Sequence, residues 1–281
     1  MFSEMYRFGG IVYAVECEEN IEKSEICAPF TVTDCAADHT IRLRFDNAIP
    51  EKPEMCAVSG PLSRWYDGSA RHTLQCYSAP GSTPQFTYAV TDGSETQLTF
   101  AEKYRIGASV RSALESACLF DLLSDAGMLI LHSSYIVTED GEAVIFSGPS
   151  GVGKSTQAAL WEKYLGANII NGDRSLLCPD ECSSNGIFYS GTSGICKNVS
   201  APIKAIVLLG QAEDNSVQPI NPSAAFARIL SQCAYYAWDT PSAIRMTDHV
   251  ARLISNAQVL RFDCRADESA VRALQEKLGG I

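Results

Sequence analysis

The segment GPSGVGKST, residues 148–156, constrains the fold more than any other part of the chain. It matches G-x-x-x-x-G-K-S without a gap, with Gly153, Lys154 and Ser155 in their places. Each residue type has a physical task. Glycines let successive backbone N–H groups turn inward as an anion nest, and a helix beginning at the lysine adds the positive end of its dipole. Such a loop needs a strand before it and a helix after it. Both are legible: AVIF (143–146) is an apolar run, and TQAALWEKYL (156–165) is helix-forming up to Gly166. The expected phosphate-binding residues are Gly148, Ser150, Gly151, Val152, Gly153, Lys154, Ser155 and Thr156. Lys154 is expected on the β and γ phosphates and the Ser155 hydroxyl on Mg²⁺.

Around this loop the chain reads as three parts. Residues 1–104 form a β-rich N-terminal domain, with short runs GIVYAVEC, TIRLRF, HTLQCYS, QFTYAV and TQLTF separated by Pro, Gly, Ser and Asp clusters. Residues 105–127 hold a connecting helix, since Val110, Leu114, Ala117, Cys118, Leu122 and Leu123 recur at helical spacing before Gly127. Residues 128–281 form an α/β domain around the loop. It opens with MLILHSSYIV and EAVIFSG, a hairpin turning at Asp140-Gly141, where both residues tolerate positive φ. Strands are expected at ANIIN (167–171), IFYSG, APIKAIVLLGQ and VLRFDC (259–264). Helices are expected from Pro222 to about Ala237 behind Asn221, from Pro241, and from Asp267 to Gly279. Strands alternating with helices give the class α/β, and the hairpin makes the sheet mixed.

Composition narrows the partners. Among 281 residues, 22 are basic and 33 acidic, a net charge of -11 that repels nucleic acid and anionic membranes. No run approaches the ~18 apolar residues of a membrane span, and the first residues do not read as a signal peptide, so the expected location is cytoplasmic. Eleven cysteines at irregular spacing suit reduced thiols better than a disulfide framework. Cys178 and Cys182 have half of a zinc spacing, but no second cysteine pair accompanies them. Oligomeric state is not legible.

A phosphoryl-transfer site also needs a carboxylate near Mg²⁺. Asp173 follows ANIIN directly and would face the phosphates if that strand neighbours the loop; its plainer reading is a turn aspartate in NGD. Asp214 lies too far past its strand. His132, between Leu131 and Ser133 on the first hairpin strand, reads by itself as a core histidine before it reads as a catalyst.

LHSSYIV, a turn, AVIFSGPSGVGKST, a helix, IINGD and then a glycine-containing turn before a strand resembles the C-terminal domain of the HPr kinase/phosphorylase family. That family consists of bacterial enzymes whose nucleotide fold is shared with phosphoenolpyruvate carboxykinases. The motifs cover about residues 128–210, and the likeness continues more loosely to the C-terminus. With a β-rich module in front, the chain is similar to the smaller HPr-kinase-like proteins, some of which phosphorylate a serine of a peptide precursor or free serine. The resemblance implies ATP and Mg²⁺ as cofactors, His132 and Lys154 as catalytic residues, and Asp173 as base, Mg²⁺ ligand or both. It also marks two departures: Gly172 stands where a second aspartate is usual, and Gly191 where an arginine is usual. Lys197 or Lys204 could supply the missing cation, or be ordinary solvated lysines.

The expected function is therefore ATP- and Mg²⁺-dependent phosphorylation of a serine hydroxyl on a protein, peptide or small molecule. The alternative is a nucleotide-binding regulatory or interaction protein with little or no phosphoryl transfer. A GTP switch fits less well, because no N-K-x-D motif follows the loop.

Overall fold

The computed structural model describes residues 1–78 and 81–279, and the chain divides into two compact units. The first comprises Met1–Leu122 and Tyr236–Ala243; the second comprises Leu123–Tyr235 and the chain from Ile244 onward.

In the first unit, strands with alternating burial build a half-covered sheet. In β4 (His39–Phe45), Ile41 and Leu43 are buried while Arg42 and Arg44, alternating with them, are exposed, the period-two pattern of a strand with one dry face. Its companions are β1 (Phe2–Phe8), β2 (Ile11–Cys17), β3 (Thr31–Val32), β5 (Ala57–Ser59), β6 (Leu62–Asp67), β7 (Ala70–Cys76), β8 (Phe86–Asp92) and β9 (Glu95–Phe100). Among the described residues they form one sheet in the order β3-β1-β2-β4-β9-β8-β7-β6-β5. β2, β4 and β9 run parallel and the other pairings are antiparallel, so the sheet is mixed.

The expected single helix over 108–127 is two: α1 (Val110–Ser116), capped by Ser109, and α2 (Leu119–Asp125), with Cys118 between them at φ 59°. Helical spacing holds in each half, but buried charge decides the join. Asp121 is buried in α2 and pairs with Arg64, itself 1% exposed, and with Arg71 at 3.2 Å. The Arg64 guanidinium also stacks 4.9 Å from the Tyr236 ring and stands 3.7 Å from Asp239. Charges removed from water need such partners, and these contacts join residues 236–243 to the first unit.

The second unit is layered around another mixed sheet. Its strands are β10 (Leu129–Val137), β11 (Ala143–Ser147), β12 (Asn168–Asn171), β13 (Arg174–Cys178), β14 (Ser183–Asn185), β15 (Ser200–Gln211), β16 (Ser216–Pro219) and β17 (Val259–Cys264). The helices are α3 (Lys154–Leu165), α4 (Pro222–Leu230), α5 (Thr240–Asn256), which belongs to this unit from Ile244 on, and α6 (Glu268–Lys277). β11 lies between β10, antiparallel to it, and β15, parallel to it. All five β11 residues are buried, because both faces of the sheet are covered. Val144 and Phe146 pack with Ala158 and Trp161 of α3 and Val271 and Leu274 of α6; Ala143 and Ile145 belong to the core holding Ile229 of α4 and Met246 and Val250 of α5. The class α/β with a mixed sheet is thus observed.

Several local expectations change. The hairpin turns through residues 139–141, with the Gly141 N–H donating to the Thr138 carbonyl at 3.0 Å, and only Gly141 has positive φ. That is a three-residue turn with a left-handed final residue instead of a two-residue Asp-Gly turn. IFYSG is not a strand, because the Asn171 amide takes the carbonyls of Ile187 and Tyr189. The helix from Pro222 stops at Leu230 instead of about Ala237: Gln232 accepts from the His132 N–H, and Ala234 donates to Ile130, so the following chain pairs with β10. The expectation that the strand before Asp173 neighbours the phosphate loop is corrected too: β12 pairs with β10, which stands between it and β11.

Trp161 is almost fully buried between α3 and the sheet, and its ring centroid lies 6.1 Å from that of Phe146. Trp161→Ala is expected to lower the unfolding free energy by about 3–5 kcal/mol, read from denaturant midpoints, with Trp161→Phe losing less.

Candidate functional site

The glycine loop is a strand-to-helix turn at the end of β11. Gly148, Gly151 and Gly153 take φ of 147°, 79° and 111°, conformations in which a side chain would be strained. The loop is also held from outside: Gln211, at the end of β15, donates from Nε2 to the Gly151 carbonyl at 3.1 Å. Ser150 is exposed on its crest, and Val152 is half-buried with its Cγ1 against Gly148. Ser155 and Thr156 are exposed on the first turn of α3, where backbone N–H groups have no intrahelical partner. Lys154 is buried, and its Nζ donates to the carbonyls of Gly148 at 2.9 Å and Pro149 at 3.1 Å. Burial pushes this ammonium below its usual range, opposed by Asp173 and reinforced by Arg174.

His132 and Asp173, 41 residues apart in sequence, come together beside it, with His132 Nε2 at 3.6 Å from Asp173 Oδ1. β10 explains the approach. Its register pairs His132 with Arg174, the first residue of β13, and the Ser133 N–H donates to the Asp173 carbonyl at 3.0 Å. The Ser147 hydroxyl, at the end of β11, donates to the His132 carbonyl at 2.9 Å and ties the loop strand to the histidine strand. The imidazole has Nδ1 at 3.3 Å from Gln232 Oε1. Burial holds His132 below its ordinary pKa, Lys154 and Arg174 push the same way, and Asp173 and Gln232 oppose them. The balance favours the neutral imidazole, which can accept or donate a hydrogen bond.

Asn171 sets the position of the carboxylate. It is fully buried, and its Oδ1 accepts from the backbone N–H groups of both Asp173 and Arg174 at 2.9 Å. Its Nδ2 donates to Ile187 at 2.7 Å and Tyr189 at 3.0 Å. The turn between β12 and β13 is thereby locked to the segment that carries residues 191–193. Two glycines are required by that contact. A Cβ on Gly191 would lie 2.6 Å from the Asp173 carboxyl carbon, and one on Gly172 would lie 2.5 Å from Ser193 Oγ. At both positions the space that a larger residue would take is already filled, by Asp173 and by Ser193.

The lysines considered as extra cations are engaged elsewhere. Lys204 Nζ pairs with Glu142 at 2.9 Å, at the start of β11 instead of its loop end, and Lys197 Nζ donates to Asn168 Oδ1 at 2.5 Å. Asp214 is exposed in the turn after β15. Arg174 is the cation that sequence reasoning missed. Its Nε stands 3.5 Å from Asp173 Oδ2, so the carboxylate has His132 near one oxygen and Arg174 near the other. Its only sequence signal is adjacency in NGDRS; Gln232 has none, being 100 residues from the histidine it contacts.

The residues fit a nucleotide phosphate chain in the glycine cradle, with Lys154 and the α3 N-terminus as its positive groups. For Mg²⁺ the available oxygens are the Ser155 hydroxyl and the Asp173 carboxylate. Among the described residues no group of three or more His, Cys, Asp or Glu is placed to hold a metal by itself, so a hard cation here would need phosphate and water oxygens as well. No protein-family model matches the chain, and a search of curated proteins finds no match. No helix among the described residues is long and apolar enough to cross a membrane.

The charges around His132 give a test with fixed signs. By NMR titration of the imidazole, Lys154→Met is expected to raise the His132 pKa by removing a cation, and Asp173→Asn to lower it by removing the opposing anion.

Proposed function

We propose that this chain is an ATP- and Mg²⁺-dependent phosphotransferase acting on an alcohol, with a serine hydroxyl as acceptor, of the HPr-kinase-like type that its motifs resemble. The observation that carries the reading is the convergence of Lys154, at the glycine loop, with the His132–Asp173 pair on neighbouring strands. A phosphate grip serves many proteins; a grip beside a carboxylate poised to take a proton suits transfer to a hydroxyl.

In this reading the loop amides and Lys154 would hold the triphosphate, and Ser155 and Asp173 are the residues that would hold Mg²⁺. Bound there, the cation would neutralise phosphate charge. Asp173 orients the acceptor hydroxyl and accepts its proton. The hydroxyl oxygen forms a bond to the γ-phosphorus, the bond from that phosphorus to the β–γ bridging oxygen breaks, and ADP departs with the electron pair. Neutral His132 steadies the Asp173 carboxylate. Most of the work is alignment and charge neutralisation, as phosphoryl transfer requires.

A second reading, a nucleotide-binding regulatory protein, is favoured by one observation: Ser193 closes the position of Gly172, leaving a single carboxylate in the turn.

Transfer from γ-labelled ATP, with Mg²⁺ and in turn free serine, phosphocarrier protein and seryl peptides, separates the two. The expected outcome is labelled phosphoserine, reduced by about 10²–10⁴ in rate by Asp173→Asn and lost in Lys154→Ala. Undiminished transfer in Asp173→Asn would overturn the role given to that residue. Nucleotide binding without any labelled acceptor favours the regulatory reading.

A further inference from the structure

We propose that Arg174 is the side chain with which this site reads the γ-phosphate, making it selective for nucleoside triphosphates over diphosphates. The inference rests on the reading of the loop as a nucleotide site and adds a residue and a selectivity to it.

The position of Arg174 is tightly determined. Its backbone N–H is held by buried Asn171, and it stands opposite His132 in the β10–β13 register. Its guanidinium is far less committed. Nε approaches Asp173 Oδ2 at 3.5 Å, Nη1 makes a long contact to the Asp173 carbonyl at 3.4 Å, and Nη2 makes no hydrogen bond among the described residues. The side chain is one-third exposed. A guanidinium carries five donors in a planar fork suited to two phosphate oxygens, and most of that capacity is open here.

Chemistry says which part of a nucleotide this open fork would meet. If Asp173 accepts the proton of the attacking hydroxyl, the phosphorus under attack must lie within reach of that hydroxyl, so the γ-phosphate is the group nearest Asp173. Arg174 flanks the same carboxylate and meets that phosphate from the side of Asp173, while the loop amides hold the α and β phosphates and Lys154 reaches the β and γ phosphates from the loop. Three other positions do not supply a cation here. Gly191 admits no side chain against Asp173, and Lys197 and Lys204 pair with Asn168 and Glu142.

The test is calorimetric titration of the full chain with MgATP and MgADP. The wild-type protein is expected to bind MgATP about tenfold or more tighter than MgADP, the scale of one charge-assisted bidentate contact. Arg174→Gln should bring that ratio close to one while MgADP affinity changes by less than about twofold, and Arg174→Lys should restore part of it. Equal weakening of both nucleotides in Arg174→Gln, or an unchanged ratio, overturns the inference; a shared melting temperature with the wild type shows that the variant is folded. Lys154→Ala separates this from the underlying reading. It should weaken both nucleotides by about tenfold or more. If it weakens neither, or if the wild-type protein binds neither, the nucleotide reading of the loop fails and the role of Arg174 fails with it. If Lys154→Ala weakens both and Arg174→Gln leaves the ratio intact, the loop reading stands and the Arg174 inference alone falls.

Discussion

One buried amide organises the candidate site. Asn171 has no access to water, so each of its hydrogen-bonding groups must find a protein partner or cost roughly 1–3 kcal/mol. It finds four: two backbone N–H groups after it in the chain and two carbonyls of the 187–189 segment. The first pair turns the chain sharply between β12 and β13, so that both strands share the edge of β10 and Asp173 emerges at their junction. The second pair pulls the 187–189 segment out of the sheet ladder, and the 191–193 turn that follows it lies against Asp173. A carboxylate fixed through its backbone in this way needs little further ordering when a ligand arrives.

The same packing holds two positions to glycine. Asp173 fills the space beyond Gly191, and Ser193 fills the space beyond Gly172. A second aspartate or an arginine at those positions would collide with what is already there. The cation that does stand beside Asp173 comes from the next residue in the chain, Arg174, at the start of β13.

The first unit obeys a different constraint. Its fully buried Arg64 pairs with Asp121 and Asp239 and stacks on Tyr236, so residues from three distant parts of the sequence meet around one guanidinium. Removing any one carboxylate would leave the charge imperfectly compensated in a low-dielectric interior, which is why the 236–243 segment belongs to this unit although its chain neighbours on both sides belong to the other. Nothing in the local spacing of YAWDTPSA signals that allegiance.

What the sequence by itself determined is what short-range chemistry determines. The glycine loop, its lysine, the strand before it and the helix after it are written in nine consecutive residues and their flanks, because φ preference and amide direction are local properties. Alternating and helical periodicities likewise located β2, β4, β7, β8, β9 and β17 and the caps of α4 and α6, each of which depends on neighbours only a few residues away. The tertiary structure decided the rest. It split the helix at Cys118, ended α4 at Leu230, converted 187–190 from strand to irregular chain, and set His132 beside Asp173, with Arg174 and Gln232 as partners no motif announced. In each case the deciding contact joins groups far apart in the chain. Where such a group is buried, as Asn171 and Asp121 are, the penalty for leaving it unpaired exceeds the few tenths of a kcal/mol per residue by which local propensity differs.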